Sequence, residues 1–313
     1  MSDKPVINIV YAPGKGHPKK VYENDDGEVW QSNRYDKNKT NVGMGWYSIR
    51  NPGPGDSILV VEPRCILERD YQTSFVKNFD HIFTWATKAF KTTPVHGKVV
   101  EIVHPTYHNI PGVGISDNWP DWKSRKNKVV FVANNKSSRH HSELYSFRIM
   151  LADMLHNRSK MDVEWYGQIP LKRPYYKGQV QNKHKLLLES KFSVCTENSY
   201  DPVFTHNYFT EKMPDVWKAG AVPIYFGCYN IDSFNLPKRS YIDLRQFCRK
   251  EGNRWKIDKP GLLSAIEDFS ENDYTDYTSC VKKKILGTSK LYDVASFEHA
   301  HKKMIETLKK TSS

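Results

Sequence analysis

The chain has 313 residues, a length that favours two domains of about 150 residues each. Hydrophobic residues make up 38% of it and aromatic residues 13%, which is enough apolar material for packed cores and excludes a globally disordered protein. The formal net charge of +12 favours a polyanionic partner such as nucleic acid, an anionic membrane surface or a phosphorylated substrate, although runs of lysine also serve solubility alone.

The apolar runs and the cysteines indicate which classes of protein the chain does not fit. The first apolar run, six or seven residues within "MSDKPVINIVYAPGKG", is far shorter than the roughly 20 needed to span a bilayer and does not have a signal-peptide layout. The five cysteines are widely spaced and include no C-x-x-C pair, which argues against a zinc cage and against a disulfide framework. The sequence therefore predicts a cytoplasmic protein with no transmembrane segment.

Short apolar segments ending in turn residues recur in the first third of the chain: "VINIVYA", "SILVVEP", "HIFTWAT" and "KVVEIVHP". Because they are nearly continuous in apolar character, they are predicted to be buried strands of a mostly parallel sheet. The segment "PGVGISDNWPDWKSRKNK" is rich in Gly, Pro and charge and interrupts this pattern, so a domain linker is predicted near residues 110–127.

Strands and helices alternate more clearly in the second half. The predicted order is strand "KVVFVANN", helix "SELYSFRIMLADMLHNR", strand "DVEWYGQ", helix "NKHKLLLES", strand "FSVCTEN", helix "TEKMPDVWKAG" and strand "AVPIYFG". This alternation is typical of βαβ units with helices on both faces of a sheet. We predict an α/β fold of two Rossmann-like domains facing a central cleft, with domains at residues 1–120 and 121–290 and a carboxyl-terminal helix at 291–313.

The stretch "TENSYDPVFTHNYFTEKMPDVWKAGAVPIYFG" is too polar to be plain core. Its first strand ends at Glu197 and Asn198, which would face the cleft. Thr210 stands where a helix N-cap is expected, with Glu211 and Lys212 in the first turn. A helix amino terminus beside a lysine is suited to bind an anion such as a diphosphate; the alternative is that these residues are only a cap and a surface ion pair.

Two glycines frame the next strand. Gly220 is predicted to end the helix, and Gly227 is predicted to let the backbone approach a ligand closely.

The run "KFSVCTENS...NYFTEKMPDVWKAGAVPIYFG...FNLPKRSYIDLRQF" resembles the hallmark region of the alpha-1,3-fucosyltransferase family over about 55 residues. The family pattern is roughly K-F-x-x-x-x-E-N-S, then Y-x-T-E-K, then V-P-I-x-x-G. Weaker similarity extends to "VVFVANN", "FRIMLADML" and "VEWYGQ". This chain departs from the pattern in one loop, between the E-N-S and Y-x-T-E-K motifs, which is about four residues longer.

The resemblance implies a GT-B-like, inverting, metal-independent glycosyltransferase with no permanently bound cofactor. Its donor would be a nucleotide-diphosphate sugar, with a guanosine diphosphate sugar expected first, bound mainly by the carboxyl-terminal domain. Arg139 is the alternative to Arg148 as the phosphate-binding arginine, and Glu197 and Asn198 either hold the nucleotide or order the loop. The donor-binding residues that the family motifs imply are Arg148, Glu197, Asn198, Tyr208, Thr210, Glu211 and Lys212.

The same resemblance implies a catalytic base in a Glu-Ser-Pro motif of the amino-terminal domain. Here "VEPRCILERDYQTSFVKNFDHIFTW" places Glu62 directly before Pro63, with one residue of the motif missing. Glu62 is therefore the predicted base, and Glu68 and Asp70 are the alternatives.

The sequence leaves three functions open. The transferred sugar, fucose or the related arabinose, would go to a hydroxyl of a glycan or, in a phage-type relative, to a hydroxymethylated base in DNA; the Lys-rich "GKGHPKK" and the net charge favour DNA. The third hypothesis is an inactive nucleic-acid or sugar-binding relative. Bacterial cytoplasm and the cytoplasm of a virus-infected host are the expected locations. Histidine spacing gives no metal site, although His206 lies in the lengthened loop.

Overall fold

The structure is a computed structural model that describes residues 6–10, 19–32, 36, 39–45, 48–49, 52, 54–91, 95–105, 118–252, 254–288 and 296–310. Residues 110–117 of the predicted linker lie outside these residues, as do residues 14–18 of the "GKGHPKK" segment, His17 and His108. Two compact units are present: unit 1 comprises residues 1–106, 201–208 and 292–313, and unit 2 comprises residues 107–200 and 209–291. No helix in the described ranges is both long and apolar enough to cross a membrane.

The elements alternate along most of the chain. The strands are β1 (Val6–Val10), β2 (Lys19–Asn24), β3 (Gly27–Ser32), β4 (Thr40–Met44), β5 (Ser57–Val60), β6 (His81–Thr84), β7 (Lys98–Glu101), β8 (Lys126–Val132), β9 (Asp162–Tyr166), β10 (Ser190–Thr196), β11 (Val222–Phe226), β12 (Ile242–Asp243), β13 (Cys248–Glu251) and β14 (Arg254–Ile257). The α-helices are α1 (Thr73–Val76), α2 (Thr87–Phe90), α3 (Tyr145–Arg158), α4 (Lys183–Glu189), α5 (Lys212–Lys218), α6 (Lys259–Glu267), α7 (Glu271–Val281) and α8 (Phe297–Lys309).

Unit 1 contains a seven-stranded sheet in the order β2-β3-β1-β4-β5-β6-β7. All pairings are parallel except that of β2 with β3. One face of the sheet packs against α8, whose Ala300, Met304, Ile305 and Leu308 share a core with Ile7, Ile9, Val42 and Leu59. The predicted parallel sheet is thus confirmed, and the antiparallel β2–β3 hairpin adds an edge that the apolar pattern did not reveal.

Unit 2 contains a parallel five-stranded sheet in the order β12-β11-β10-β8-β9. Taken in chain order this is a 2-1-3-4-5 arrangement, in which the direction of winding reverses between β8 and β10. Open α/β sheets bind ligands outside the carboxyl ends of the strands at such a switch point. In this unit the switch point lies where β8 ends at Val132 and β10 ends at Thr196.

Arg125 ties together the opposite end of the unit 2 sheet. Its buried guanidinium donates to the carbonyl oxygens of Leu187, Leu188, Ser190 and Ala219 and to the Tyr274 hydroxyl. These bonds join the ends of α4 and α5 to α7, so one side chain fixes three helices around the sheet.

The α/β fold class is confirmed, with a Rossmann-like sheet in each unit that is parallel in unit 2 and parallel apart from β2 in unit 1. The predicted limits of the domains, at residues 120 and 290, stay a prediction. The predicted carboxyl-terminal helix is present as α8 and contributes to the core of unit 1.

His301 on α8 makes the stability of unit 1 dependent on pH. Its side chain is 2% exposed and packs near the rings of Tyr22 and Phe297, and burial lowers the pKa of its imidazole to about 4. The folded chain thus binds a proton less readily than the unfolded chain, whose histidine pKa is about 6.5. This contribution to stability is complete above pH 6.5 and is lost as the pH falls toward 4.

We expect wild type to lose about 2 kcal/mol of stability between pH 7.5 and pH 5 from this residue, and His301→Met not to show that loss. The measurement is the free energy of unfolding of both proteins across this range. The exposed His96 offers a matched control, since His96→Met should keep the dependence of wild type. Equal pH dependence in His301→Met and wild type would contradict the assignment.

Candidate active site

The carboxyl end of β10 is organised around the fully buried carboxylate of Glu197. Its Oε1 accepts from the backbone N–H of Thr210 at 2.9 Å, and its Oε2 accepts from the Thr210 hydroxyl at 2.8 Å. Oε2 also accepts from Nζ of Lys212 at 3.0 Å. One carboxylate therefore joins the E-N-S segment to the T-E-K segment.

Lys212 is the cation of this cluster. Its Nζ also donates to the Thr210 hydroxyl at 2.9 Å and lies 3.8 Å from Oε1 of Glu211. Burial by itself lowers the pKa of this lysine, but the charges of Glu197 and Glu211 outweigh burial and raise the pKa above its ordinary value. The ammonium is consequently charged throughout the physiological range, and its side chain keeps 20% exposure.

The prediction that Thr210 is the N-cap of the following helix is wrong. Helix α5 begins at Lys212, Glu211 is the residue that precedes it, and no side chain caps its first turn. The Thr210 hydroxyl is instead bonded to the Glu197 carboxylate, which is a stronger acceptor than a backbone group because it is charged. The helix is further fixed by Asp215, whose carboxylate pairs with Nζ of Lys183 on α4 at 2.6 Å.

Gly227 is required for close packing against the same carboxylate. A Cβ atom at this position, where φ is +153°, would lie 2.2 Å from Cβ of Glu197. The close contact that the structure shows at Gly227 is with Glu197, and the approach to a ligand stays a prediction. Nearby, Tyr225 donates its hydroxyl to Oε1 of Glu197 at 3.4 Å, and burial together with the charge of Glu197 raises the pKa of Tyr225 and keeps the phenol protonated.

Arg148, at the end of the first turn of α3, is 3% exposed. Its guanidinium donates to the Thr196 hydroxyl at 2.6 Å and to the carbonyl oxygens of Thr196 and Glu197 at 2.9 and 3.0 Å. These contacts fix the backbone at the carboxyl end of β10. The geometry gives Arg148 the features of a residue that positions Glu197.

The loop between β8 and α3, residues 133–144, forms the other side of the switch point. It is fastened to the segment after β10 by bonds from Leu144 N to Asn198 O at 3.1 Å and from Tyr200 N to Ser142 O at 2.8 Å. The hydroxyls of Ser142 and Ser199 are 2.6 Å apart. The role of Ser142 could not be predicted from the sequence, because a lone serine in a loop has no recognisable spacing.

Arg139 lies in this loop and is exposed, as is Lys136. Asn198 is half-buried on the facing segment, with its carbonyl used by Leu144. The loop therefore brings exposed cations to the edge of the sheet at which Glu197 and Lys212 lie.

Tyr208 belongs to a different part of the structure from the other predicted donor-binding residues. Residues Asp201–Tyr208, here called the strap, are part of unit 1, although the chain on both sides of them is part of unit 2. The Tyr208 ring is 1% exposed and stacks on Trp85 with centroids 4.5 Å apart. The structure thus brings together Glu197, Thr210, Glu211 and Lys212, and it places Tyr208 in the core of unit 1.

Glu62, the predicted base, lies just beyond the carboxyl end of β5 in unit 1 and is partly exposed. Its carbonyl oxygen accepts from the Tyr71 hydroxyl at 2.9 Å. Of the alternatives, Glu68 pairs with Arg64 at 3.1 Å, and Asp70 is fully buried. Glu62 has the position at a strand end that ligand-binding residues of parallel sheets occupy.

In the described ranges, no group of three or more His, Cys, Asp and Glu side chains is arranged to hold a metal ion. His206, in the strap, is partly buried, and its pKa is lowered by burial and then by the charges of Lys88 and Lys91.

Two structures of an alpha1,3-fucosyltransferase, one with GDP and one with GDP-fucose, resemble this chain with TM-scores of 0.56 and 0.51. Each is 14% identical in sequence, and each match covers 99% of this chain and 92% of the other. A trehalose-6-phosphate synthase, described as an enzyme of glycosyl transfer with retention, has a TM-score of 0.51 at 8% identity, covering 97% of this chain and 93% of that one. At these identities the likeness shows a shared fold.

No curated protein sequence matches the chain. The sequence model of "Glycosyltransferase family 10 (fucosyltransferase) C-term" matches residues 122–252, a span that includes β8, β10, the strap and the Glu197–Lys212 cluster. Residues 122–252 are therefore similar to the carboxyl-terminal domain of the fucosyltransferases of glycosyltransferase family 10.

Proposed function

We propose that the protein is an inverting glycosyltransferase that moves fucose, or the related arabinose, from a nucleotide-diphosphate sugar to an acceptor hydroxyl. A guanosine diphosphate sugar is the first candidate, since the fucosyltransferase of similar fold carries GDP or GDP-fucose. The observation that carries the proposal is the ammonium of Lys212, held by a buried carboxylate at the switch point of a 2-1-3-4-5 sheet.

The cations at this site would meet the charge that builds on the leaving diphosphate. An ammonium has three N–H donors, and two of those of Lys212 go to Glu197 and Thr210, which leaves one for a phosphate oxygen among the described contacts. Because Glu197 and Glu211 balance the charges of Lys212 and Arg148, additional positive charge has to come from the 133–144 loop. We therefore assign the phosphate-binding role to Arg139 and a positioning role to Arg148.

Glu62 is proposed as the base. It would take the proton of the acceptor hydroxyl, whose oxygen attacks the anomeric carbon from the face opposite the nucleoside diphosphate. The bond between the anomeric carbon and the phosphate oxygen breaks as the new glycosidic bond forms, so the configuration inverts.

The distribution of charge bears on the acceptor. Unit 2 contains 29 Lys and Arg residues against 19 Asp and Glu, whereas unit 1 contains 18 against 16. The excess of positive charge thus lies in the unit that carries the proposed donor site. It does not favour DNA as an acceptor on unit 1, and a glycan acceptor is the leading proposal.

The first test offers guanosine, uridine and cytidine diphosphate sugars with either an oligosaccharide or hydroxymethylated duplex DNA and identifies the products by mass spectrometry. We expect transfer from a guanosine diphosphate sugar to the oligosaccharide.

The Glu62→Gln variant tests the base. It should bind GDP as wild type does and transfer the sugar at least about a hundredfold more slowly, because its amide cannot accept the proton. Glu68→Gln is the matched control and should stay active. No transfer from any donor, together with no binding of GDP, would overturn the proposal.

Lys212→Met should lower turnover about a hundredfold, the usual loss when one electrostatic contact to the transition state is removed. It should also lower stability by about 3–5 kcal/mol, because it leaves the buried Glu197 carboxylate without its cation. The double variant Lys212→Met/Glu197→Gln separates the two effects: we expect its melting temperature to recover in part and its turnover to stay low.

A control for this pair is the ion pair between Lys183 on α4 and Asp215 on α5. Lys183→Met breaks the ion pair with Asp215, so it should lower the melting temperature and keep the turnover of the folded protein. If the double variant regained the turnover of wild type, the role of Lys212 would be structural. The proposal that its ammonium stabilises the leaving diphosphate would then be wrong.

The two arginines should respond differently to substitution. Arg139→Ala is expected to weaken binding of GDP about tenfold, the scale of one charge-assisted hydrogen bond, with an unchanged melting temperature because the side chain is exposed. Arg148→Met is expected to lower the melting temperature, because three buried acceptors lose their donor. Calorimetric titration measures the affinity for GDP, and thermal unfolding measures the melting temperature. If Arg148→Met weakened GDP binding and Arg139→Ala did not, Arg148 would be the phosphate-binding arginine.

A further inference from the structure

The strap is the lengthened loop between the two hallmark motifs, and it has a defined internal structure. The Asp201 carboxylate accepts from the backbone N–H groups of Val203 and Phe204 at 2.8 and 2.9 Å. The Thr205 hydroxyl accepts from Asp201 N at 2.8 Å and donates to Asp201 O at 2.7 Å. The strap is therefore a preformed turn that presents its aromatic side chains in fixed directions.

Two strap rings pack on three side chains of unit 1. Phe204 meets the ring of Tyr71 edge-on, with centroids 5.7 Å apart, and Tyr208 stacks on Trp85 and meets His104 edge-on at 5.3 Å. The guanidinium of Arg64 lies 4.8 Å from the centroid of Phe204, and Asn207 donates to Glu101 at 2.8 Å. Tyr71, Trp85, His104 and Tyr208 are all buried.

The same three side chains hold the backbone that carries Glu62. Trp85 Nε1 donates to the carbonyl oxygen of Val61 at 3.3 Å, and His104 Nε2 lies 2.9 Å from that oxygen. Because a carbonyl oxygen only accepts, Nε2 of His104 carries the proton. Tyr71 donates to the carbonyl oxygen of Glu62. Among the residues that the structure describes, the side chains of Tyr71, Trp85 and His104 bond to the Val61 and Glu62 carbonyl oxygens, and each packs against a ring of the strap.

We propose that Phe204 and Tyr208 are positioning residues that set the direction of the Glu62 side chain through Tyr71, Trp85 and His104. The inference rests on the proposed function, in which Glu62 is the base. A misplacement of about 1 Å at a reacting group can cost about a hundredfold in rate. The strap is also continuous with Ser199 and Thr210, so the segment that positions the base is the one that links the two donor-site motifs.

The test uses the full chain and compares Phe204→Ala with Val203→Ala, an exposed neighbour in the same turn. In Phe204→Ala we expect a fall in kcat of about tenfold or more, a shifted low-pH limb of kcat/KM, and a Kd for GDP within about twofold of wild type. Amide hydrogen exchange in the peptide 57–71 should become faster. Val203→Ala should match wild type in all four measurements, and Phe204→Tyr, which keeps the ring, should restore them.

The exchange measurement separates this inference from the proposed function. If wild type neither binds GDP nor transfers a sugar, the proposed function fails, and exchange in 57–71 still reports whether the strap holds the Glu62 backbone. If wild type is active and Phe204→Ala keeps the kcat, pH profile and exchange of wild type, the strap does not position the base. Should Phe204→Ala fail to fold, Phe204→Leu gives the same comparison with a smaller loss of packing.

Discussion

The Glu197 carboxylate is the constraint on which the geometry of the candidate site depends. It has no exposure to water, so its charge has to be compensated by the protein, and it receives the Thr210 N–H, the Thr210 hydroxyl and the Lys212 ammonium. The strand end that presents it is fixed by Arg148, and the space for its side chain exists because residue 227 has no Cβ. The Lys212 ammonium is thus held in place because the Glu197 carboxylate is buried beside it.

Much of the architecture could be predicted because apolar runs report burial directly. β8, β10 and β11 are buried over most of their length, and β11 and the second half of β8 are continuous apolar runs, which is the signal of a buried parallel strand. Helix α8 is revealed by its apolar spacing. The β2–β3 and β13–β14 hairpins lack that signal, since β2, β13 and β14 are short, rich in charged residues and contain no buried residue.

At the site, sequence identified residue types better than their roles. Glu197, Thr210 and Lys212 were found together, but the bond between Thr210 and Glu197 was not predicted, because the two are 13 positions apart and helix capping is a local pattern. A motif also does not tell whether an arginine is buried, and burial is what separates Arg148 from Arg139. The packing of the strap depends on rings that are distant in sequence, which no local pattern encodes.

The chain passes four times between the two units, at residues 106/107, 200/201, 208/209 and 291/292. Neither unit is therefore a single continuous stretch of sequence. A recombinant fragment ending at residue 106 would contain all seven strands of the unit 1 sheet but not α8, leaving Leu59 and Phe83 without the apolar face formed by Met304 and Leu308. Such a fragment would be prone to aggregate, so an autonomous version of unit 1 requires a circularly permuted or grafted chain that retains residues 297–309.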